Sequence, residues 1–283
     1  MISELIEKIA EKQNPTALGL DPHIDYLPST MLKGSDPESS AKALYKFNKE
    51  LMDALCDIIP CVKIQMAYYE LLGLSGMKTF FNTITYAKKK GFYIIIDGKR
   101  NDIGSTAECY AKAYLDNTEA DALTVNAYLG LDGVKPFIRN RKSIFALVKT
   151  SNKSSGDLQD RLLDDGKRVY ELMGDMLEDW GTSTRGKYGY SEIGAVVGAT
   201  YPEQLEYLRN RMPHTFFLVP GYGAQGGTAK DVAGAFLYGV GAVINSSRGL
   251  MCAYKKHGLP AEKFAEAAVA EAISMRDEIN SFI

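Results

Sequence analysis

The chain has 283 residues, 46% of them hydrophobic and 24% charged, ordinary values for a globular protein long enough to bury a core without staples. With 33 Lys and Arg against 35 Asp and Glu, its formal charge is -2, which excludes nucleic acid or an anionic membrane as a partner held by bulk charge and leaves room for local basic pockets. The four cysteines (Cys56, Cys61, Cys109, Cys252) form no CxxC pair and the three histidines (His23, His214, His257) no HxH or HxxxH, so neither a disulfide scaffold nor a metal site is expected, and a reduced, cytoplasmic compartment fits best.

The opening stretch MISELIEKIAEKQ is amphipathic and charged and lacks the apolar centre of a signal peptide. No later apolar run approaches the roughly 20 residues of a membrane helix. Short apolar runs then recur at 17–20, 61–64, 93–96, 122–125, 144–148, 193–197, 216–219 and 242–244. They are rich in Ile and Val and continuous rather than alternating, as parallel strands buried on both faces are. Helical stripes lie between them. Residues 166–180 put Val169, Leu172, Met173, Met176, Leu177 and Trp180 on one face. Pro202 sits at a first helical position ahead of Leu205, Leu208 and Met212, and 261–275 reads as a further helix. This strand-then-helix repetition predicts an α/β fold, a (β/α)8 TIM barrel, in preference to an open doubly wound sheet. No low-complexity linker divides the chain, so one domain over 1–283 is expected. A long excursion, 151–192, follows the fifth strand and starts polar (SNKSSGDLQD), as a lid or substrate contact would.

In such a barrel the chemistry gathers where strands end. The first strand ends at Asp21 in GLDPH, the second carries Lys63 in CVKIQ, and the third runs into DGKRNDIGST with Asp97, Lys99, Arg100 and Asp102. Two apart on an extended strand, Asp97 and Lys99 face the same side, and Asp102 lies on the loop beyond. Buried charges must be paired; alternating carboxylates and ammonium meet that need and favour a cationic Lys99. Such a lysine is a poor nucleophile, but it is suited to stabilise a developing anion and then protonate it. The plainer readings are a solvated loop or a structural ion-pair network, with Lys63 a rim charge and Asp21 a turn cap. After the seventh strand, VPGYGAQGGTAKD supplies Gly221, Gly223, Gly226 and Gly227, whose backbone N–H groups can approach an anion. After the eighth, INSSRGL places Arg248 near a helix start. Together these read as a phosphate site where this fold favours one, the plainer reading being two glycine turns.

DGKRNDIGST resembles the signature of the orotidine 5′-phosphate decarboxylases, Asp-x-Lys-x-x-Asp-Ile-x-x-Thr after the third barrel strand. PGYGAQGG and SSRG resemble that family's phosphate-gripping region. GLDP and VKIQMAYYE resemble its first two strand ends, and the wording of GLDP, VKIQ and VKTSN its longer bacterial branch. The resemblance implies cofactor-independent decarboxylation of orotidine 5′-monophosphate to uridine 5′-monophosphate and CO2, the last step of pyrimidine nucleotide synthesis. It makes Lys63, Asp97, Lys99 and Asp102 an alternating charged tetrad, with Lys99 the proton donor to C6 and Asp97 close to the substrate carboxylate. It gives ribose contacts to Asp21 and Lys63, and phosphate contacts to Gln225 and Arg248 with help from Pro220, Gly221 and Gly223. Ser151 in KTSN becomes the reader of the base, with Thr150 beside it as the alternative. It also implies a homodimer in which Asp102 and Thr106 enter the neighbouring site. Two rivals with a similar phosphate site, a pentulose-phosphate epimerase and a hexulose-phosphate synthase, use a divalent metal. The chain lacks a strand-end His/Asp set for the first, and the missing metal partners and the surrounding motifs speak against the second. A non-catalytic nucleotide-binding barrel is opposed by the intact Asp97, Lys99 and Asp102.

Overall fold

The apolar runs are the staves of a closed barrel. Eight parallel strands pair in chain order: β1 (Thr16–Leu20), β2 (Cys61–Gln65), β3 (Tyr93–Arg100), β4 (Ala122–Val125), β5 (Ser143–Lys149), β6 (Ile193–Val197), β7 (Phe217–Val219) and β8 (Ala242–Ser246), with β8 returning to β1. The computed structural model describes residues 1–223 and 226–283. Helices α1 (Ile2–Lys12), α2 (Pro37–Leu55), α3 (Ala67–Glu70), α4 (Gly73–Lys89), α5 (Gly104–Ala111), α6 (Leu131–Val134), α7 (Val169–Trp180), α8 (Pro202–Arg211), α9 (Ala229–Ala233), α10 (Arg248–Met251), α11 (Ala253–Lys256) and α12 (Phe264–Asn280) accompany the strands.

Both faces of the strands are buried, which is why they read as unbroken apolar runs. Ala17, Cys61, Tyr93, Ile95, Phe145, Val196, Leu218 and Val243 fill the barrel. The alternate residues Leu18, Val62, Ile94, Leu123 and Ile144 pack outward under the helices. Helix α1 lays Ile2, Leu5 and Ile6 on the inner cluster and covers the N-terminal mouth. The Glu192 carboxylate accepts the Ile2 N–H at 2.9 Å, an anion where the helix start favours one. Among the described residues, no helix is long and apolar enough to cross a membrane.

The boundaries differ from the sequence reading in a consistent way. β3, β5 and β8 run on through polar residues to Arg100, Lys149 and Ser246, because the backbone forms the ladder whatever side chain it carries. β7 starts one residue later, at Phe217. The helix expected from 166 starts at Val169: Leu162 and Arg168 form a small antiparallel bridge first. The last helix starts at Phe264 after a 3-10 turn, Ala261–Lys263, and continues to Asn280. Pro202 does open α8.

Candidate active site

β2 and β3 are in register so that Lys63 pairs with Ile95 and Gln65 with Asp97. Side-chain alternation then sends Lys63, Gln65 and Asp97 to the inner face at the C-terminal mouth. The Lys63 ammonium, 4% exposed, donates to Asp21 Oδ1 and Asp97 Oδ2, each at 3.0 Å. Asp97 is encircled by donors. Its Oδ2 also accepts from Gln65 Nε2 at 2.9 Å, and its Oδ1 accepts from Lys99 Nζ at 2.6 Å and Thr124 Oγ1 at 2.9 Å. Burial opposes both charges, and the ion pairs outweigh it. Asp21 and Asp97 hold the Lys63 ammonium above the ordinary lysine range. Lys63 and Lys99 hold the Asp97 carboxyl well below the usual carboxylate range.

This has a measurable consequence. A carboxyl whose pKa falls on folding stabilises the fold above its unfolded value, near about 4, and that contribution is lost as pH falls towards the lowered value. Urea unfolding midpoints should therefore drop more steeply for the wild type than for Asp97→Asn between about pH 5 and pH 2. Parallel curves would show that folding does not lower the Asp97 pKa.

Lys99 reaches Asp97 by a route the sequence does not announce. The two were expected to share one face of a regular strand. Instead, the β3–β4 register shifts between Ile96 and Arg100, and Lys99 takes a left-handed backbone with φ of 45°. For a non-glycine residue this costs about 1–3 kcal/mol. Its N–H donates to Thr124 Oγ1 at 2.9 Å, so the hydroxyl that serves Asp97 also fixes the bulge. Bulges re-aim side chains beside active sites. Here the result is an ammonium 45% exposed, in contrast to the enclosed Lys63.

The four charged side chains, Asp21, Lys63, Asp97 and Lys99, line a cavity of about 630 Å³, in the size range of small-ligand sites. β5 and the segment after it contribute Leu147, Thr150, Ser151 and Gln159. The ends of β7 and β8 contribute Leu218, Pro220, Gly221, Asn245 and Arg248. Gly221 has φ of 103°, which only glycine adopts readily. The Gly223 N–H donates to Gly227 O at 2.8 Å within the same loop, so in this conformation it is not offered to a ligand. Gln225 lies outside the described residues. Arg248 opens α10, a four-residue turn too short to carry much dipole; the guanidinium itself is the cationic feature there.

Asp102 and Thr106 do not line this cavity. Asp102 Oδ1 accepts the Ile103 N–H at 2.8 Å ahead of α5, and Thr106 is exposed on that helix. Two residues that hydrogen-bond Asp97 in the cavity were missed from the sequence, Gln65 and Thr124. Both were reachable by the step of two that finds inward-facing positions, from Lys63 to Gln65 and from Ala122 to Thr124, but neither is charged. Thr150 and Ser151 are distinguished by a residue nine positions on. The Thr150 hydroxyl donates to Asn152 Oδ1 at 2.7 Å and accepts from Gln159 Nε2 at 2.8 Å, while Gln159 Oε1 takes the Thr150 N–H at 2.9 Å. Ser151 packs against Gly198, where a Cβ would fall 2.9 Å from its backbone nitrogen. Its hydroxyl has no hydrogen-bond partner among the described residues. Also among the described residues, no three His, Cys, Asp or Glu side chains are grouped to hold a metal ion. His214 Nδ1 is 3.0 Å from Gly189 O and His257 Nε2 is 3.2 Å from Glu271 Oε2, and neither histidine lines the cavity.

Known proteins are similar to this chain over nearly its whole length. The sequence profile of the Orotidine 5'-phosphate decarboxylase / HUMPS family matches residues 18–258. Proteins named orotidine 5'-phosphate decarboxylase from Clostridium perfringens and Clostridium acetobutylicum are each 43% identical. The first alignment covers 100% of this chain and 99% of the relative; the second covers 99% of each. Among solved structures, Leishmania donovani UMP synthase superposes with a TM-score of 0.79 at 31% identity, over 98% of this chain and 56% of that one. Leishmania donovani OMP decarboxylase superposes with a TM-score of 0.76 at 29% identity, over 98% of both chains. The chain belongs to the orotidine 5'-phosphate decarboxylase / HUMPS family.

Proposed function

We propose that this protein decarboxylates orotidine 5′-monophosphate to uridine 5′-monophosphate and CO2, without a cofactor, and that Lys99 supplies the proton. One observation carries the reading: a 2.6 Å Asp97–Lys99 ion pair, locked by Lys63, Gln65 and Thr124, at the wall of a nucleotide-sized cavity. Breaking the C6–carboxylate bond releases CO2 and leaves an electron pair on C6 that the pyrimidine ring delocalises poorly. The Lys99 ammonium is the half-exposed cation of the cluster, so it can approach that carbon; Lys63 is enclosed between two carboxylates. Lys99 stabilises the developing charge, gives C6 a proton and recovers one from solvent, so the net reaction consumes one proton. Asp97 keeps Lys99 in place and sets a fixed negative charge beside the position of the substrate carboxylate. Its own donors leave it no need to take up a proton. A preorganised field of this kind needs no reorganisation as charge develops.

The rest of the lining, together with Asp21 and Lys63, orients the nucleotide. Arg248, with Pro220 and Gly221, is the phosphate end; Asp21 and Lys63 address the ribose; Ser151 reads the base. Thr150 is the weaker choice for the base because both its roles are taken by Asn152 and Gln159. Ser151→Ala should raise KM about 10-fold, the value of one hydrogen bond of about 1.4 kcal/mol. An unchanged KM would return the role to Thr150.

The active unit is a homodimer. Ile103, Tyr128, Leu129 and Leu131 are exposed apolar side chains around the C-terminal ends of β3 and β4. Leu129 and Asp102 meet at Gly133. Monomers rarely leave such a patch uncovered. A second copy seated there would receive Asp102 and Thr106 in its own cavity. Four free cysteines support a reduced, cytoplasmic setting. The test of the activity is incubation with orotidine 5′-monophosphate, following CO2 and uridine 5′-monophosphate with and without excess EDTA. Equal product formation in both is expected. Binding without product, or turnover that EDTA abolishes, would overturn the reading.

A further inference from the structure

Lys149, at the end of β5, is fully buried, and the mechanism above does not use it. Three lysines lie on the described strands, and two of them, Lys63 and Lys99, line the cavity. By alternation Lys149 should follow Phe145 and Leu147 to the inner face. The β5–β6 register shifts between Leu147 and Lys149, and the side chain goes elsewhere. Its ammonium donates to Asp160 Oδ1 at 2.8 Å and Ser155 Oγ at 3.2 Å. It also lies 4.7 Å from the ring centroid of Tyr201 and 5.6 Å from that of Tyr170. Its carbonyl accepts the Gly198 N–H at 2.8 Å, beside the glycine against which Ser151 packs.

The two hydrogen bonds of the ammonium, to Ser155 and Asp160, clasp one arc of chain, while Tyr170, Tyr201 and Gly198 back it from α7 and the end of β6. Asp160 follows Gln159, whose carboxamide grips Thr150 at both ends, and Thr150 precedes Ser151. We infer that the Lys149–Asp160 pair is a positioning device for base recognition: it fixes the 150–160 arc so that the Gln159–Thr150 clamp holds Ser151 against the cavity. The inference deepens the decarboxylase reading and rests on it. A buried cation is costly unless paired and hydrogen-bonded, and one used only for stability would be replaceable by an apolar side chain of similar volume. The specific cost of replacement should therefore appear in recognition of the base.

The test is Lys149→Met, which fills the same space and leaves Asp160, one-third exposed, free to be hydrated. The probes are uridine 5′-monophosphate and ribose 5-phosphate, which share sugar and phosphate and differ by the base. The nucleotide Kd should rise at least about 10-fold and that of ribose 5-phosphate should stay within about 2-fold. In turnover, KM should rise with kcat nearly unchanged. Asp160→Ala removes the pair from its exposed side and is read in the same way if the first variant does not fold. Equal weakening of both ligands, or of neither, would overturn the inference. A wild type that neither binds the nucleotide nor turns over orotidine 5′-monophosphate would instead remove the decarboxylase reading, and this inference with it.

Discussion

Lys99→Ala should reduce turnover of orotidine 5′-monophosphate by about 10⁴-fold or more, because on the proposed mechanism it removes the proton donor and the half-exposed positive charge beside Asp97 in one step. The side chain is 45% exposed, so the fold should survive, with only a small change in unfolding midpoint. Lys99→Arg separates the two functions. It keeps a cation near Asp97, yet a guanidinium does not release its proton at working pH, so the variant should remain severely impaired. The measurement is single-turnover CO2 release. A Lys99→Ala enzyme within 10-fold of the wild type would assign both roles elsewhere.

The second large effect concerns two subunits. Lys99→Ala and Asp102→Asn should each be nearly inactive alone. If Asp102 serves the neighbour, a mixed dimer holds one site with both lesions and one site with neither. Random reassortment of equal amounts should then restore about one quarter of wild-type activity, since half the dimers are mixed and half their sites are intact. Recovery should follow the time course of subunit exchange. No recovery after exchange would mean that Asp102 acts within its own subunit, or that its loss damages the fold.

The barrel was legible because strands buried on both faces are written as unbroken Ile- and Val-rich runs. Only their ends were misplaced, where Asp97–Arg100, Lys149 and Asn245–Ser246 stay in the ladder as polar residues. Charge made Asp21, Lys63, Asp97 and Lys99 visible as candidates, and the structure brings all four together. Gln65 and Thr124 escaped notice because an uncharged polar residue on a strand has many ordinary explanations. The two bulges were the harder matter. Nothing in the residue types tells that Lys99 adopts a left-handed backbone and turns into the cavity, or that Lys149, in the same alternation as Phe145 and Leu147, turns away from it. Both outcomes depend on a neighbouring strand: the Thr124 hydroxyl in one case, and the β6 register with the Tyr170 and Tyr201 rings in the other.

The proposed reaction requires Lys99 to be the group that meets C6. A crystal structure of the protein with bound uridine 5′-monophosphate measures this directly. It should place Lys99 Nζ about 3–3.5 Å from C6 of the base, the separation of a near-attack geometry, with Asp97 still in contact with the ammonium. A complex in which Lys99 points away from the base, or in which Lys63 occupies that position, would contradict it.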